Sequence, residues 1–274
     1  MSRTAAPKAN STEAAGEGTP MTRLNVLREG EGPIVVLSHA LGCDLHMWDG
    51  VAEVLARAHT VLRYDHRNHG ASEVVPGPVT IQALADDAAA LIAREAAGEP
   101  VHFVGLSMGG MTAQALALSH PQLLRSVVIA NSSAYYPDRA PWRTRVETVQ
   151  AQGVQAIAPG AVARWLTPAF ATTSEGAEAA RRLHATLVAT DAAGYIASCE
   201  AVAAIDFRES NRGIRTPSLV IAGDRDEATP PSMSEAIAEA IPGAKLARID
   251  AAHLSAVERP VEFAQLLIDF WRSL

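Results

Sequence analysis

The stretch Val101-His102-Phe103-Val104-Gly105-Leu106-Ser107-Met108-Gly109-Gly110 decides the fold. Its mostly apolar first six residues read as a buried strand, and the Ala- and Leu-rich run 108–119 reads as a helix. Between them stands a Gly-x-Ser-x-Gly string. Chance supplies such a string in roughly one chain in ten of this length, so its place between strand and helix carries the meaning. A sharp turn there pushes the Ser107 hydroxyl out above the sheet. That turn strains the serine backbone and crowds its neighbours. Glycines at 105 and 109 remove the side chains that would collide. No Gly-x-Gly-x-x-Gly string points to a dinucleotide site instead.

Outward from this turn the alternation repeats. Short apolar runs at 34–37, 60–64, 126–130, 218–222 and 244–249, with a half-polar edge run at 22–28, alternate with helical periodicity at 46–57, 80–97, 232–241 and 260–272. The expected fold class is α/β, a mostly parallel sheet flanked by helices, with apolar strands covered on both faces. Ligands of such sheets bind in the loops at the carboxyl ends of the strands. One segment breaks the pattern. Residues 133–206 are helical, carry no buried strand, and are too long for an ordinary connection. They predict a helical cap inserted after the strand that ends near Ala130. The expected organisation is a disordered tail over 1–20, a core from 21–132 and 207–274, and the cap over 133–206.

Composition narrows the function classes. The chain has 274 residues, 48% hydrophobic and 19% charged, and a net charge of −7. That suits a large globular core and argues against nucleic acid, which selects a basic face. Lys8 and Lys245 are the only lysines, so no Lys-rich tract meets anionic lipid. No apolar run approaches the roughly 18 residues of a membrane helix, and the first 20 residues lack the pattern of a signal peptide. A cytoplasmic protein is expected. Cys43 and Cys199 make neither a disulfide framework nor a metal knuckle and read as buried thiols.

A serine hydroxyl is a weak nucleophile and needs a base, which in turn needs an orienting acid. After a strand–serine–helix turn the acid comes next in the chain and the histidine last. Of nine histidines only His253, in Asp250-Ala-Ala-His-Leu-Ser255, follows the last strand. The acid belongs to the loop after the preceding strand, where Asp224, Asp226 and Glu227 compete. An acid just past the strand is a common turn former; Asp226, deeper in the loop and ahead of Thr229-Pro230-Pro231, is the better orienting group. A tetrahedral oxyanion needs two preformed donors. The backbone N–H of Met108, after the nucleophile, is one, and Leu41, in the loop Ser38-His-Ala-Leu-Gly42, supplies the other. His39 reads as a hydrogen-bond partner that fixes this loop. His66 and His69 lack a third ligand nearby in sequence, so no metal is expected.

With these residues in place the chain resembles the α/β-hydrolase superfamily over 22–274. The strings Leu37-Ser-His-Ala-Leu-Gly-Cys-Asp-Leu-His-Met-Trp-Asp49, Gly105-Leu-Ser-Met-Gly-Gly-Met111, Trp142-Arg-Thr-Arg-Val-Glu-Thr-Val149 and Asp250-Ala-Ala-His-Leu-Ser255 resemble those of 3-oxoadipate enol-lactonases. The resemblance implies a cofactor-free serine hydrolase acting on a small-molecule ester or lactone in aromatic-acid degradation. That family tends to carry Arg where Tyr135 stands, and a lactone bearing a carboxylate wants a cationic fork. Tyr135, Arg139, Trp142 and Arg143 are therefore the candidate substrate contacts, with Arg139 or Arg143 as the replacement cation. A carboxylesterase of neutral esters, a perhydrolase or a C–C hydrolase uses the same framework, and the oligomeric state is left open.

Overall fold

The computed structural model describes residues 22–274; the tail expected over 1–20 lies outside them. Seven strands form one sheet: β1 (Val26–Glu29), β2 (Ile34–Ser38), β3 (Thr60–Tyr64), β4 (Val101–Leu106), β5 (Leu124–Ala130), β6 (Ser218–Gly223) and β7 (Lys245–Ile249). Their spatial order is β1-β3-β2-β4-β5-β6-β7, and only β1 runs antiparallel to its neighbour. The helices that cover the sheet are α1 (Asp49–Leu55), α2 (Ile81–Glu95), α3 (Met108–Ser119) and, after the insertion, α9 (Pro231–Ala240), α10 (Ser255–Glu258) and α11 (Pro260–Arg272). The α/β class expected from the alternation is the class observed.

The sheet edges correct two expectations. Pairing of β1 begins only at Val26, because residues 23–25 bond the 72–73 loop instead: Arg23 N–H reaches Glu73, Glu73 N–H reaches the Arg23 carbonyl, and Asn25 N–H reaches Ser72 Oγ. Strand β7 is an edge and is not covered on both faces; its Leu246 is 43% exposed. The central strands are as apolar as their burial requires, with every residue of β3, β4 and β6 buried.

Between β5 and β6 the chain forms α4 (Ala140–Gln152), α5 (Ala158–Trp165), α6 (Pro168–Ala171), α7 (Ser174–Ala189) and α8 (Ala192–Ala203), and none of these residues joins the sheet. Side-chain caps start three of the helices: Thr167, Thr173 and Asp191 accept N–H bonds from Phe170, Gly176 and Gly194. The neck of the insertion closes where Phe207 N–H donates to the Ala134 carbonyl and Tyr135 pairs with Asp206.

Strand order also places the site. β2 connects outward to β3 on one side, and β4 sits on its other side, so the sheet changes direction between β2 and β4. Loops leave such a switch point in opposite directions and open a crevice. The register pairs Ser38 with Gly105, which sets the loop after β2 beside the turn that carries Ser107.

Candidate active site

Ser107 occupies the turn in a left-handed conformation, φ 57° and ψ −114°, which costs a non-glycine residue about 1–3 kcal/mol. Its backbone is held on both sides. Ser107 N–H donates to the Ala130 carbonyl at 2.9 Å, and its own carbonyl accepts from Ser132 Oγ at 2.8 Å. The glycine requirement is steric: a Cβ on Gly105 would sit 2.0 Å from the Gly109 carbonyl oxygen, and one on Gly109 would sit 2.1 Å from that of Ser38.

Three loops deliver one hydrogen-bonded chain. Ser107 Oγ lies 3.0 Å from His253 Nε2, and His253 Nδ1 lies 2.9 Å from Asp226 Oδ2. Asp226 also accepts Thr229 Oγ1 at 2.8 Å and the Asn131 amide at 3.0 Å on Oδ2, with the N–H groups of Ala228 and Thr229 on Oδ1. Burial opposes its charge, but His253, the Thr229 N–H and Asn131 outweigh burial and hold the carboxyl below its ordinary range. An ionised Asp226 fixes the His253 tautomer with the proton on Nδ1 and the Nε2 lone pair toward Ser107. Asp224, the rival acid, pairs with Arg248 on the surface, and Glu227 is an exposed residue of the cavity rim.

The backbone groups expected to hold an oxyanion lie as follows. Met108 opens α3, so its N–H has no carbonyl one turn back. Leu41 lines the same cavity as Ser107 and His253. Its N–H belongs to the Ala40–Leu41 peptide, whose carbonyl accepts from Cys43 N–H at 3.1 Å and from His39 Nδ1 at 2.8 Å. In a trans peptide N–H and C=O point opposite ways. The Leu41 N–H therefore points opposite to the side on which Cys43 and His39 hold the carbonyl. His39 accepts His66 N–H on Nε2 at 2.9 Å, which fixes its tautomer. His69 acts alike, accepting Gly42 N–H on Nε2 at 3.1 Å with Nδ1 on the Arg67 carbonyl at the same distance.

These imidazoles are built to stay neutral. Burial pushes His66 well below its ordinary range and His69 down to about 3; the other histidines of the cluster add to both shifts, while backbone hydrogen bonds and, for His69, Asp65 oppose them. A neutral buried histidine leaves the unfolded chain binding more protons below its ordinary pKa of about 6.5, so stability falls as pH drops through that value. Between pH 8 and pH 5, His69 alone is expected to remove about 2 kcal/mol of unfolding free energy, and His66 acts in the same direction. Urea unfolding across that range checks this; a flat profile down to pH 5 contradicts it.

The candidate substrate contacts fall in different places. A cavity of 380 Å³ lies over Ser107 and His253, walled by Tyr136, Trp142, Arg145, Arg164 and Trp165 of the insertion. Trp142 lines it; Tyr135, Arg139 and Arg143 do not. Arg139 and Arg143 line a separate 270 Å³ cavity between α4 and α8, on the other side of Trp142. Helical geometry is the reason, because position 145 lies a turn from 142 on one face while 143 points away. Tyr135 is turned aside under Arg208, 3.7 Å from its ring centroid. Arg145 is the half-buried cation of the cavity, 4.9 Å from the Trp142 ring centroid, and it has no carboxylate partner among the described residues. Asn131, directly after β5, and the Thr229 hydroxyl, in the loop after β6, complete the Asp226 contacts, and neither has a sequence signal for that role.

A larger cavity, 490 Å³, lies between α7 and the α1 end of the core. It holds no residue of the Ser107 chain, so size alone does not mark the site. Both cysteines are buried and unbridged. Burial pushes the Cys199 thiol up to about 12 and raises Cys43 well above its ordinary value, so neither competes as a nucleophile.

The sequence profile of the α/β-hydrolase fold matches residues 33–260. The 3-oxoadipate enol-lactonase 2 of Acinetobacter baylyi is 35% identical over 235 residues, covering 86% of this chain and 87% of its own. The crystal structure of the enol-lactonase from Burkholderia xenovorans LB400 superposes with a TM-score of 0.87 at 35% identity, covering 92% of this chain and 97% of its own. A hydrolase from Pseudomonas aeruginosa PA01 gives 0.86 at 38% identity, over 94% and 99%.

Proposed function

The chain belongs to the α/β-hydrolase family, and from that premise we propose that it hydrolyses a carboxylate-bearing lactone of the 3-oxoadipate enol-lactone type through an acyl-enzyme on Ser107. The observation that carries this is the unbroken Ser107–His253–Asp226 chain on the floor of a cavity that also holds Arg145. Ser107 Oγ attacks the lactone carbonyl and gives its proton to His253 Nε2. Leu41 and Met108 N–H groups hold the oxyanion, and Asp226 stabilises the imidazolium. Collapse breaks the ring C–O bond; His253 returns the proton to the leaving enolate oxygen, and the enol becomes a ketone. Water, deprotonated by His253, then attacks the ester to Ser107 and releases the acid. No step calls for a cofactor or metal.

Arg145 sets the substrate's charge in this reading. Arg164 also lines the cavity but is exposed, and Asp138 and Glu227 line it too, so the charged side chains of the lining other than those of the Ser107 chain carry no net charge. That balance favours the second reading, a carboxylesterase of neutral esters, should Arg145 prove idle. The partner is a small molecule, not nucleic acid. No helix of the described residues is long and apolar enough to cross a membrane; the unbridged cysteines support work in the cytoplasm.

The test is kcat/KM for 3-oxoadipate enol-lactone against a neutral short-chain ester. A preference of several hundredfold, about 3.5 kcal/mol of transition-state discrimination, is expected. Arg145→Met should lower the lactone value about 100-fold and the ester value by less than about threefold. Equal preference in the parent protein, unchanged by Arg145→Met, leaves the neutral-ester reading.

A further inference from the structure

Glu258 closes the short helix α10 and is 6% exposed, yet no cation lies within ion-pair distance among the described residues. Burying a carboxylate in this way is costly unless donors replace water. The donors are backbone and hydroxyl groups. Oε2 accepts Thr167 N–H at 3.0 Å and Ala252 N–H at 3.2 Å, and Oε1 accepts the Thr167 hydroxyl. Thr167 caps α6 in the inserted helices, whereas Ala252 directly precedes His253. On the other side of His253, Leu254 N–H donates to the Trp165 carbonyl at 2.9 Å. The residues on either side of the histidine are thus each tied, through their N–H groups, to one corner of the insertion. The same corner supplies Trp165 and Arg164 to the cavity wall.

We propose that Glu258 is a positioning residue: its carboxylate straps the α5–α6 corner to the loop of the catalytic base, so that the cavity wall and His253 move as one body. This rests on the reading of His253 as the base of Ser107. The anchor on the core side is Asn131, whose amide donates to the Ala252 carbonyl at 3.2 Å, so Ala252 is held by its N–H to Glu258 and by its carbonyl to the core. Without the strap the loop keeps its core anchor but loses its hold on the insertion. A displacement of the order of 1 Å between base and nucleophile costs about 100-fold in rate. The role does not require charge. In Glu258→Gln the amide can turn its oxygen to the two backbone N–H groups and its NH2 to the Thr167 hydroxyl, which then accepts.

The experiment measures kcat and KM for p-nitrophenyl acetate per active site titrated with a fluorophosphonate, in the full chain, with Ser107→Ala as the labelling blank. Glu258→Ala should lower kcat per titrated site by about 30- to 100-fold, with KM changed less than about threefold, and Glu258→Gln should restore it to within about threefold. Thr167→Val, which keeps the carboxylate and both backbone donors but loses the hydroxyl together with its cap on α6, should lower it by about three- to tenfold and decides the matter if Glu258→Ala fails to fold. A purely structural Glu258 would reduce the titrated fraction and the melting temperature while leaving kcat per site at the parent value; that result overturns the strap alone. Absence of Ser107-dependent labelling in the parent protein overturns the nucleophile assignment, and the strap with it.

Discussion

Ser107→Ala is expected to lower kcat/KM by about 10⁴- to 10⁶-fold on any ester or lactone the protein accepts, while the protein stays folded. The size follows from losing the covalent path while the oxyanion donors and cavity remain, since residues that act as a unit lose nearly all their effect together. The fold should tolerate the change because the Ser107 hydroxyl has one partner, His253 Nε2, and because the strain at φ 57° is the same for alanine. The backbone bonds of residue 107 to Ala130, Ser132 and Met111 do not involve the side chain. Steady-state kinetics with a melting curve checks both halves. Turnover above about one per cent of the parent value, in protein free of parent enzyme, would remove Ser107 from the reaction.

Asp226→Asn should cost about 10⁴-fold at neutral pH. The argument is a count of donors. All five polar contacts of the Asp226 carboxylate come from donors, two of them backbone N–H groups that cannot turn. An asparagine amide must give its oxygen to those two, so its NH2 faces His253 Nδ1. The imidazole answers by moving its proton to Nε2, the nitrogen that should accept from Ser107. Loss of charge-assisted bonds also lowers stability by about 1–3 kcal/mol. Asp224→Asn is the control: it breaks only surface pairing with Arg248 and should leave kcat/KM within about twofold. Comparable losses in the two variants would return the acid assignment to an open choice.

The sheet and the turn at Ser107 were legible because both depend on local pattern. A buried strand must be apolar throughout, and the turn must be glycine-rich where a Cβ would meet backbone at 2.0 Å. Chain order then located Asp226 and His253, because each follows a strand of a parallel sheet. The substrate wall was harder to read. Position in the chain points to Tyr135, Arg139 and Arg143, but which side of α4 faces the cavity depends on how that helix lies on the core. Trp142 faces both cavities, so it could not tell Arg143 from Arg145. Asn131 and Glu258 were illegible for another reason. Each acts across more than 90 residues, on Asp226 and on Thr167, and no local signal records such a pairing. His39 was legible as a loop-fixing group, but its partner, the carbonyl of the peptide that carries the Leu41 N–H, emerges only from geometry.

The central claim is a covalent acyl intermediate on Ser107. The most direct test mixes the protein with excess p-nitrophenyl acetate, quenches in acid within the first turnover, and reads the intact mass and the modified peptide. The account predicts one acetyl group on the peptide 101–119, located at Ser107 and absent in Ser107→Ala. Hydrolysis that proceeds with no acyl group on Ser107 at any quench time, or with the group on another residue, would contradict it.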